Sequence, residues 1–555
     1  MASPMRRVNE LVSSDIGNYL TNKKTWGGII YNVMDYGAKG DGVKDDTAAI
    51  QKAIDIAKNS AAGTIYFPPG DYVINSTILV QDVPNLAIMS FNNARILTYT
   101  VDLDFMFSFK NCPGLEINNI QFDSNNTGKS QLKLERCAGF TIEKCSFKNF
   151  KQDETDIFRH AIRLDQSPNG TITGNLFQNI GQSFGGSMTV NTQYRSITAN
   201  SGCNRITIKG NKFLNVHQSL VVAEFPLWDA TKSYSVNNYV LYTVGETTNV
   251  YRCIQANTGI QPNNASYWKI DQEDVIPNHD VFFLDNYNEY VGDNAVYFLE
   301  YVRSIVISNN TFINMQDEPI VIVGQNAIIV NNRFENVSNK AIAIGDKDNI
   351  EKIEISGNQF YNVAASGSFI EFRDTGMVYT VDTLLITENL FSTTVSLGSA
   401  SHLKIGKTSK LMISGNAFFV NANSNELIIR VENTVQMGII EGNIFNAAST
   451  TATFFRDFSS GSIIVVRGNI TNCRAFANVS GTIPQLARGD FAPTNSYFSQ
   501  LNARFLWASG PPTGGSWTRG DIIFNISPSA GGQVGWVCVA SGDPGTWKTF
   551  GTIST

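Results

Sequence analysis

The chain has 555 residues and a formal net charge of −6, with 16% charged residues against roughly a quarter in an average soluble protein. That balance excludes long helical arrays, and a 42% hydrophobic share with 35 Phe excludes a disordered chain. No basic run offers a footprint for nucleic acid, and no apolar stretch of the roughly 18 residues needed to span a membrane as a helix occurs.

Residues 1–30 carry two arginines but no apolar run of the length a secretory signal needs, so export by that route is not expected. Seven cysteines, scattered without a CxxC or a Cys/His cluster, predict buried thiols rather than a disulfide framework or a zinc site. In GAKGDGVKDDTAAIQKAIDIAKNS, Asp46 or Thr47 is placed to cap a helix whose Ala49, Ile50, Ala53, Ile54 and Ala57 share one face. Such a helix covers the open end of a sheet, otherwise an unpaired edge.

A unit of the form Ile-x-x-Asn-x-Phe-x-Asn then recurs. It is centred on Asn175, Asn211, Asn310, Asn332, Asn358, Asn389, Asn416 and Asn443, with weaker copies near Phe122, Cys145 and Asn469. From Asn310 to Asn469 the steps are 22, 26, 31, 27, 27 and 26 residues, the length of one coil of a parallel β-helix. Each short strand alternates with period two, and a single coil cannot bury its inner face; coils stacked at ~4.8 Å can. The repeated Asn is suited to bonding backbone groups of adjacent coils, and the Phe to stacking inside. The expected fold class is all-β, a right-handed parallel β-helix of about a dozen coils from roughly residue 64 to 480.

Asn211 and Asn310 stand 99 residues apart, and the stretch 227–270 between them is rich in Trp and Tyr and lacks the repeat. Its removal leaves about two coils. The insert resembles small carbohydrate-binding modules of the chitin-binding type, with Trp228, Tyr234, Val240, Tyr242, Tyr251, Cys253, Pro262 and Trp268 in order; Asn237 and Asn238 replace the usual Gly-Asp. The resemblance implies that Trp228, Tyr234, Tyr242, Tyr251 and Trp268 stack on sugar rings, while the alternative is that they form the core of a very small domain. The β-helix is thus expected over 31–226 and 271–480, a linker or trimer-packing segment over 481–504, and a second small β-module over 505–555, with Trp517, Trp536 and Trp547.

NVMDYGAKGDGVKDDTAAIQKAID followed by GTIYFPPGDYVI resembles the opening segment of the pectate-lyase-3 group of pectin-lyase-like proteins. Proteins of this build are common as bacteriophage tailspikes, pre-neck appendages of small Bacillus phages among them. The resemblance implies a homotrimer in the virion, attached to tail or neck proteins through residues 1–30, that binds or degrades a bacterial surface glycopolymer. It implies no fixed set of catalytic residues.

Glycoside hydrolysis needs two carboxylates, about 5 Å apart for retention or about 6.5–9.5 Å for inversion, and neighbouring coils supply such spacings. Aligning the strands that follow the repeat turns collects Glu224, Asp293, Glu300, Asp317 and Glu318 on one outward face, with His160, Arg163 and Asp165 at its upstream edge and Gln218 in the column of His160. Glu224 and Glu300 share a column and are the expected acid and base, or acid and nucleophile, with Asp293 and Asp317 tuning them. His160 and Arg163 keep a lyase open as the alternative. A teichoic-acid phosphodiesterase holding a divalent cation, and an adhesin without catalysis, are the others; no cofactor is required by the sequence.

Overall fold

The computed structural model describes residues 29–59, 63–101, 103–128, 130–150, 158–181, 193–200, 202–223, 228–236, 238–245, 247–272, 278–299, 302–345, 349–363, 368–373, 379–394, 401–420, 427–447, 453–458, 462–471, 474–476, 485–486, 505–514 and 517–555. The chain is an all-β right-handed parallel β-solenoid of about 13 turns with almost no helix. It divides into two compact units, Met1–Ile320 and Val321–Thr555.

The first unit opens earlier than residue 64. Ile29–Asn32 pairs in parallel with Gly63–Tyr66, and Asp41–Asp45 with Gly70–Val73, so the opening segment supplies strands of its own. Helix α1 (Thr47–Ala57) buries Ile50, Ala53, Ile54 and Ala57 and packs against Ile29–Asn32, Gly63–Tyr66 and Ile78–Gln81. Its cap differs from expectation. Asp46 stands at the N-cap position, but its buried carboxylate accepts from the amides of Lys39 and Gly40 at 2.6 and 3.1 Å. Asp45 accepts from the Thr47 amide instead, at 2.9 Å.

An asparagine ladder fixes the coil register. The Oδ1 atoms of Asn211, Asn286 and Asn310 accept from the backbone amides of Asn175, Asn211 and Asn286 at 2.9, 2.9 and 2.8 Å. Each amide nitrogen is used as well: Asn175 donates to Ile142 O, Asn211 to Ile172 O and Asn286 to Ile208 O, all at 3.0 Å. Only a side chain that donates and accepts at one reach satisfies both neighbours. The residue before each ladder position has a positive φ, as at Gly174 (64°), Gly210 (64°) and Asp285 (54°), and this corner favours Gly, Asn or Asp, with Glu388 (57°) before Asn389 the exception. Asn286 divides the 99-residue interval into two coils, as the subtraction of the insert required. Beside the ladder, Phe122, Phe147, Phe177 and Phe213 stack with centroids 5.3, 5.0 and 4.8 Å apart; on the next coil Asn288 interrupts the column, and Phe312 resumes the register on the coil after.

The insert is a separate antiparallel element, with Tyr239–Val244, Thr247–Cys253 and Trp268–Gln272 forming one sheet. In the second unit the ladder runs through Asn332, Asn358, Asn389, Asn416, Asn443 and Asn469. Gln485–Leu486 pairs with the strand Ile464–Arg467, so the sheet reaches past residue 480. The rest of 481–504, and residues 1–28, lie outside the described residues. Phe505–Ala508, Ile522–Asn525, Gln533–Ala540 and Thr546–Thr552 form a four-stranded sheet at the C-terminus. Among the described residues, no helix is long and apolar enough to cross a membrane.

Candidate functional site

Five consecutive strands of the first unit build the face on which the candidate residues lie: β1 (Leu132–Glu135), β2 (Phe158–Asp165), β3 (Gln193–Ala199), β4 (Gln218–Val222) and β5 (Val296–Phe298). Leu134, Leu164, Ala199, Val222 and Phe298 point inward and are fully buried. The intervening residues form a second column, Lys133, Arg163, Thr198, Val221 and Tyr297, in direct register from strand to strand. His160, Arg195 and Gln218 are likewise opposite one another. The cations therefore sit on β1 to β3, and the carboxylates follow on the coils beyond β4.

Asp293 is held from both sides of its own residue. Its backbone amide donates to His217 O at 2.9 Å, and its Oδ2 accepts from Gln218 Nε2 at 2.8 Å. Val296 N donates to Pro319 O at 2.8 Å and Asn294 Nδ2 to Glu318 O at 3.0 Å, which sets Asp317 and Glu318 on the adjacent coil. Burial first, then the charges of Asp317 and Glu318, push the Asp293 carboxyl up to about 6, against the lowering bond from Gln218. A carboxyl so poised is partly protonated near neutrality, which a general acid requires. Gln218 is fully buried and its Oε1 has no hydrogen-bond partner, so the residue that orients Asp293 keeps an acceptor to spare.

At the other end, His160 is buried and its Nδ1 lies 2.8 Å from Thr198 Oγ1. Burial, with Arg163 and Arg195 adding to it, holds this imidazole well below its usual range, so it is neutral. Burial likewise lowers His217, to about 4. Arg195 is brought down to about 10 by burial and by Arg163, while Tyr297 and Asp293 oppose the change.

Asp165 does not face substrate space. It is 2% exposed, accepts from Arg163 Nε at 2.9 Å and from Asn200 Nδ2 at 2.6 Å, and serves to orient Arg163. Glu224 and Glu300 lie outside the described residues. Of the acidic residues singled out in the sequence, the structure brings together Asp293, Asp317 and Glu318. It adds Arg195 and Tyr297, and joins Gln218 to Asp293. Arg195 escapes the repeat alignment because β3 does not directly follow its Phe-x-Asn turn; eleven residues, 182–192, intervene. The alternating Tyr-Arg-Ser-Ile-Thr-Ala of β3 is the one signal that could have found it.

The insert aromatics correct a second expectation. Tyr234, Tyr251 and Trp268 form the buried core of that element, with Trp228 and Tyr242 packed against them. The Trp268 indole donates to Ile260 O at 2.9 Å and the Tyr234 hydroxyl to Asp229 O at 3.2 Å. A sheet this small draws its core from these three rings together with Val240 and Cys253, so the ring faces are spent within the element. Trp228 and Tyr242, half-buried and edge to face at 5.5 Å, are the two left to meet a ligand. Among the described residues, no group of three or more His, Cys, Asp or Glu side chains is placed to hold a metal ion.

A family model described as "Rhamnogalacturonase A/epimerase, pectate lyase-like" matches residues 30–225, which include β1 to β4. The fold is pectin-lyase-like. Mannuronan C5-epimerase AlgE1 of Azotobacter vinelandii is 60% identical over 45 residues, 8% of this chain and 3% of that protein, so the chain spans only a few per cent of the length of such curated relatives. PfbA, a surface adhesin of Streptococcus pneumoniae, is 14% identical with a TM-score of 0.44, over 95% of this chain and 99% of that one. ORF18 of Geobacillus virus E2 is 17% identical with a TM-score of 0.35, over 69% of this chain and 60% of that one. None of these likenesses carries a function to this chain, so the reading of the site rests on its own residues.

Proposed function

We propose that the protein is a phage tail appendage, a homotrimer in the virion, that binds a bacterial surface glycopolymer and cleaves it by hydrolysis with Asp293 as proton donor. The observation that supports the chemistry best is the Asp293 carboxyl, oriented by Gln218 and pushed up to about 6 beside Asp317. Adjacent coils stand ~4.8 Å apart, near the roughly 5–5.5 Å of a retaining pair. In that scheme Asp293 gives its proton to the leaving glycosidic oxygen while the Asp317 carboxylate attacks the anomeric carbon. Water then displaces Asp317, its proton returning to Asp293. The virion assignment rests on the tailspike-like opening segment and repeats.

A lyase is the second reading, favoured by one observation: His160 is held neutral between Arg163 and Arg195, as a base acting beside a charge-neutralised uronate would be. Incubation with purified capsule, teichoic acid and peptidoglycan, followed by mass spectrometry of the fragments, separates the readings. Hydrolysis adds one water per cleavage; elimination leaves an unsaturated, ultraviolet-absorbing end; an adhesin leaves every polymer intact.

A further inference from the structure

We infer that Cys112 and Cys137 are a latent cross-link site, two thiols that close into a disulfide between adjacent coils when the protein leaves a reducing compartment and meets a peroxide. Neither thiol takes part in the chemistry proposed at Asp293. Both residues stand at one corner of the solenoid, two positions past strands that pair in parallel, Phe107–Lys110 and β1 (Leu132–Glu135). The pairing continues through the corner: Asn111 N donates to Glu135 O at 2.9 Å and Gly114 N to Ala138 O at 2.8 Å, which sets Cys112 directly opposite Cys137. Positions so related lie ~4.8 Å apart, within the roughly 4.4–6.8 Å between Cα atoms that a disulfide spans. Both side chains are fully buried, and the two thiols are hydrogen-bonded to each other.

The same corner continues through Ser167, Cys203 and Asn278, as Gly139 N donates to Pro168 O, Asn169 N to Asn204 O and Arg205 N to His279 O, at 2.8, 2.8 and 3.0 Å. Ser167 Oγ accepts from Cys137 N at 3.0 Å and Asn278 Oδ1 from Cys203 N at 2.7 Å, so an oxygen serves the preceding coil at these places. A thiol is a weak acceptor and does that poorly. Cys203 stands two coils from Cys137, about 10 Å, too far for a bond. Cys145 occupies the ladder corner beside Asn175, and Cys253 and Cys538 belong to the two small sheets. Among the described cysteines, only Cys112 and Cys137 share a corner of adjacent coils.

Their contact gives the two thiols different roles. The shared hydrogen bond holds Cys112 below the ordinary thiol range, and the same bond together with burial holds Cys137 above it. Cys112 is thus the nucleophile near neutrality and Cys137 the resolving thiol. The Cys112 thiolate attacks one peroxide oxygen; the O–O bond breaks, hydroxide leaves to join the Cys112 proton as water, and a sulfenic acid forms. The Cys137 sulfur then attacks the Cys112 sulfur, the S–O bond breaks, and the departing hydroxide takes the Cys137 proton. Two thiols lose two electrons and one peroxide becomes two waters. A coil of a solenoid contacts only its neighbours, so the bond ties the coil bearing β1 to the one before it and resists opening from that end.

The test treats the reduced full-length chain with hydrogen peroxide at neutral pH, alkylates the remaining thiols in denaturant, and maps the peptides by mass spectrometry. A peptide pair joined through Cys112 and Cys137, two hydrogens lighter than its separate parts, should be the dominant cross-link. Urea unfolding of the oxidised protein should shift to a higher midpoint, and a reductant should reverse the shift. Cys137→Ser should leave Cys112 as a sulfenic or sulfinic acid, whereas Cys112→Ser should leave Cys137 unoxidised. Should the serine variants fail to fold, the cross-link map of the wild-type chain decides alone. Cys112 and Cys137 both still alkylated after peroxide treatment of the folded protein, or another cysteine pair joined in equal yield, would overturn the inference. Oxidation of Cys137 in Cys112→Ser to the extent of Cys112 in Cys137→Ser would overturn the assignment of roles.

Discussion

Gln218 Nε2 donates to Asp293 Oδ2 at 2.8 Å, joining two adjacent coils through the residue proposed to carry the reaction's proton. The bond favours the ionised carboxylate, whereas burial and Asp317 favour the neutral one, and burial dominates. Gln218→Leu removes the opposing contribution, so the Asp293 pKa rises above about 6. Hydrolysis requires protonated Asp293, and the alkaline limb of the pH–rate profile should move to higher pH. Initial rates between pH 5 and 9 measure it.

The same carboxyl makes a stability prediction. Its folded value of about 6 lies above the ordinary 3.8, so the folded state holds the proton more tightly and stability falls as pH rises through that interval. Asp293→Asn cannot lose that proton. Relative to wild type, the variant should gain on the order of 1 kcal/mol between pH 4 and pH 7.5, a figure reduced for solvent screening. Thermal unfolding at both pH values checks the sign.

In the ladder, Asn211 donates to Ile172 O and Asn286 Oδ1 at 3.0 and 3.1 Å and accepts from the Asn175 amide at 2.9 Å. Asn211→Leu leaves buried amide and carbonyl groups on both neighbours unsatisfied and should cost about 2–4 kcal/mol. Asn211→Asp, which accepts but cannot donate while ionised, should fare no better at neutral pH. Urea unfolding provides the comparison.

The coil-forming residues announce themselves because most coils use the same Asn, the same αL corner and the same Phe, and repetition is visible without a structure. Asn286 was hidden because Phe283, Asn288 and Tyr290 stand where Ile, Phe and Asn would. The site is the opposite case. Arg195 and Gln218 acquire their relation to His160 and Asp293 from strand pairing across intervals of 35 and 75 residues, and no local pattern marks them. Asp165 reads in the sequence as one more outward carboxylate, yet Asn200, just past a strand the repeats do not reveal, takes it up. The insert misleads through chemistry: the aromatics a sugar would stack on are those a very small sheet buries first.

That contrast predicts different outcomes within the insert. Trp268→Ala removes a side chain that is 2% exposed and should unfold the element, at about 3–5 kcal/mol, with rapid proteolysis between residues 228 and 272. Trp228→Ala and Tyr242→Ala should leave it resistant to protease and alter only glycan retention, if glycan is retained there. Limited proteolysis alongside glycan-array binding distinguishes the two.

The most direct test of the central claim is the rate at which Asp293→Asn releases new reducing ends from a polymer that the wild-type protein shortens. Loss of the acid should lower turnover by at least ~100-fold while affinity for the polymer is kept. Near-normal release of reducing ends by Asp293→Asn would contradict the account and move the chemistry off this face of the solenoid.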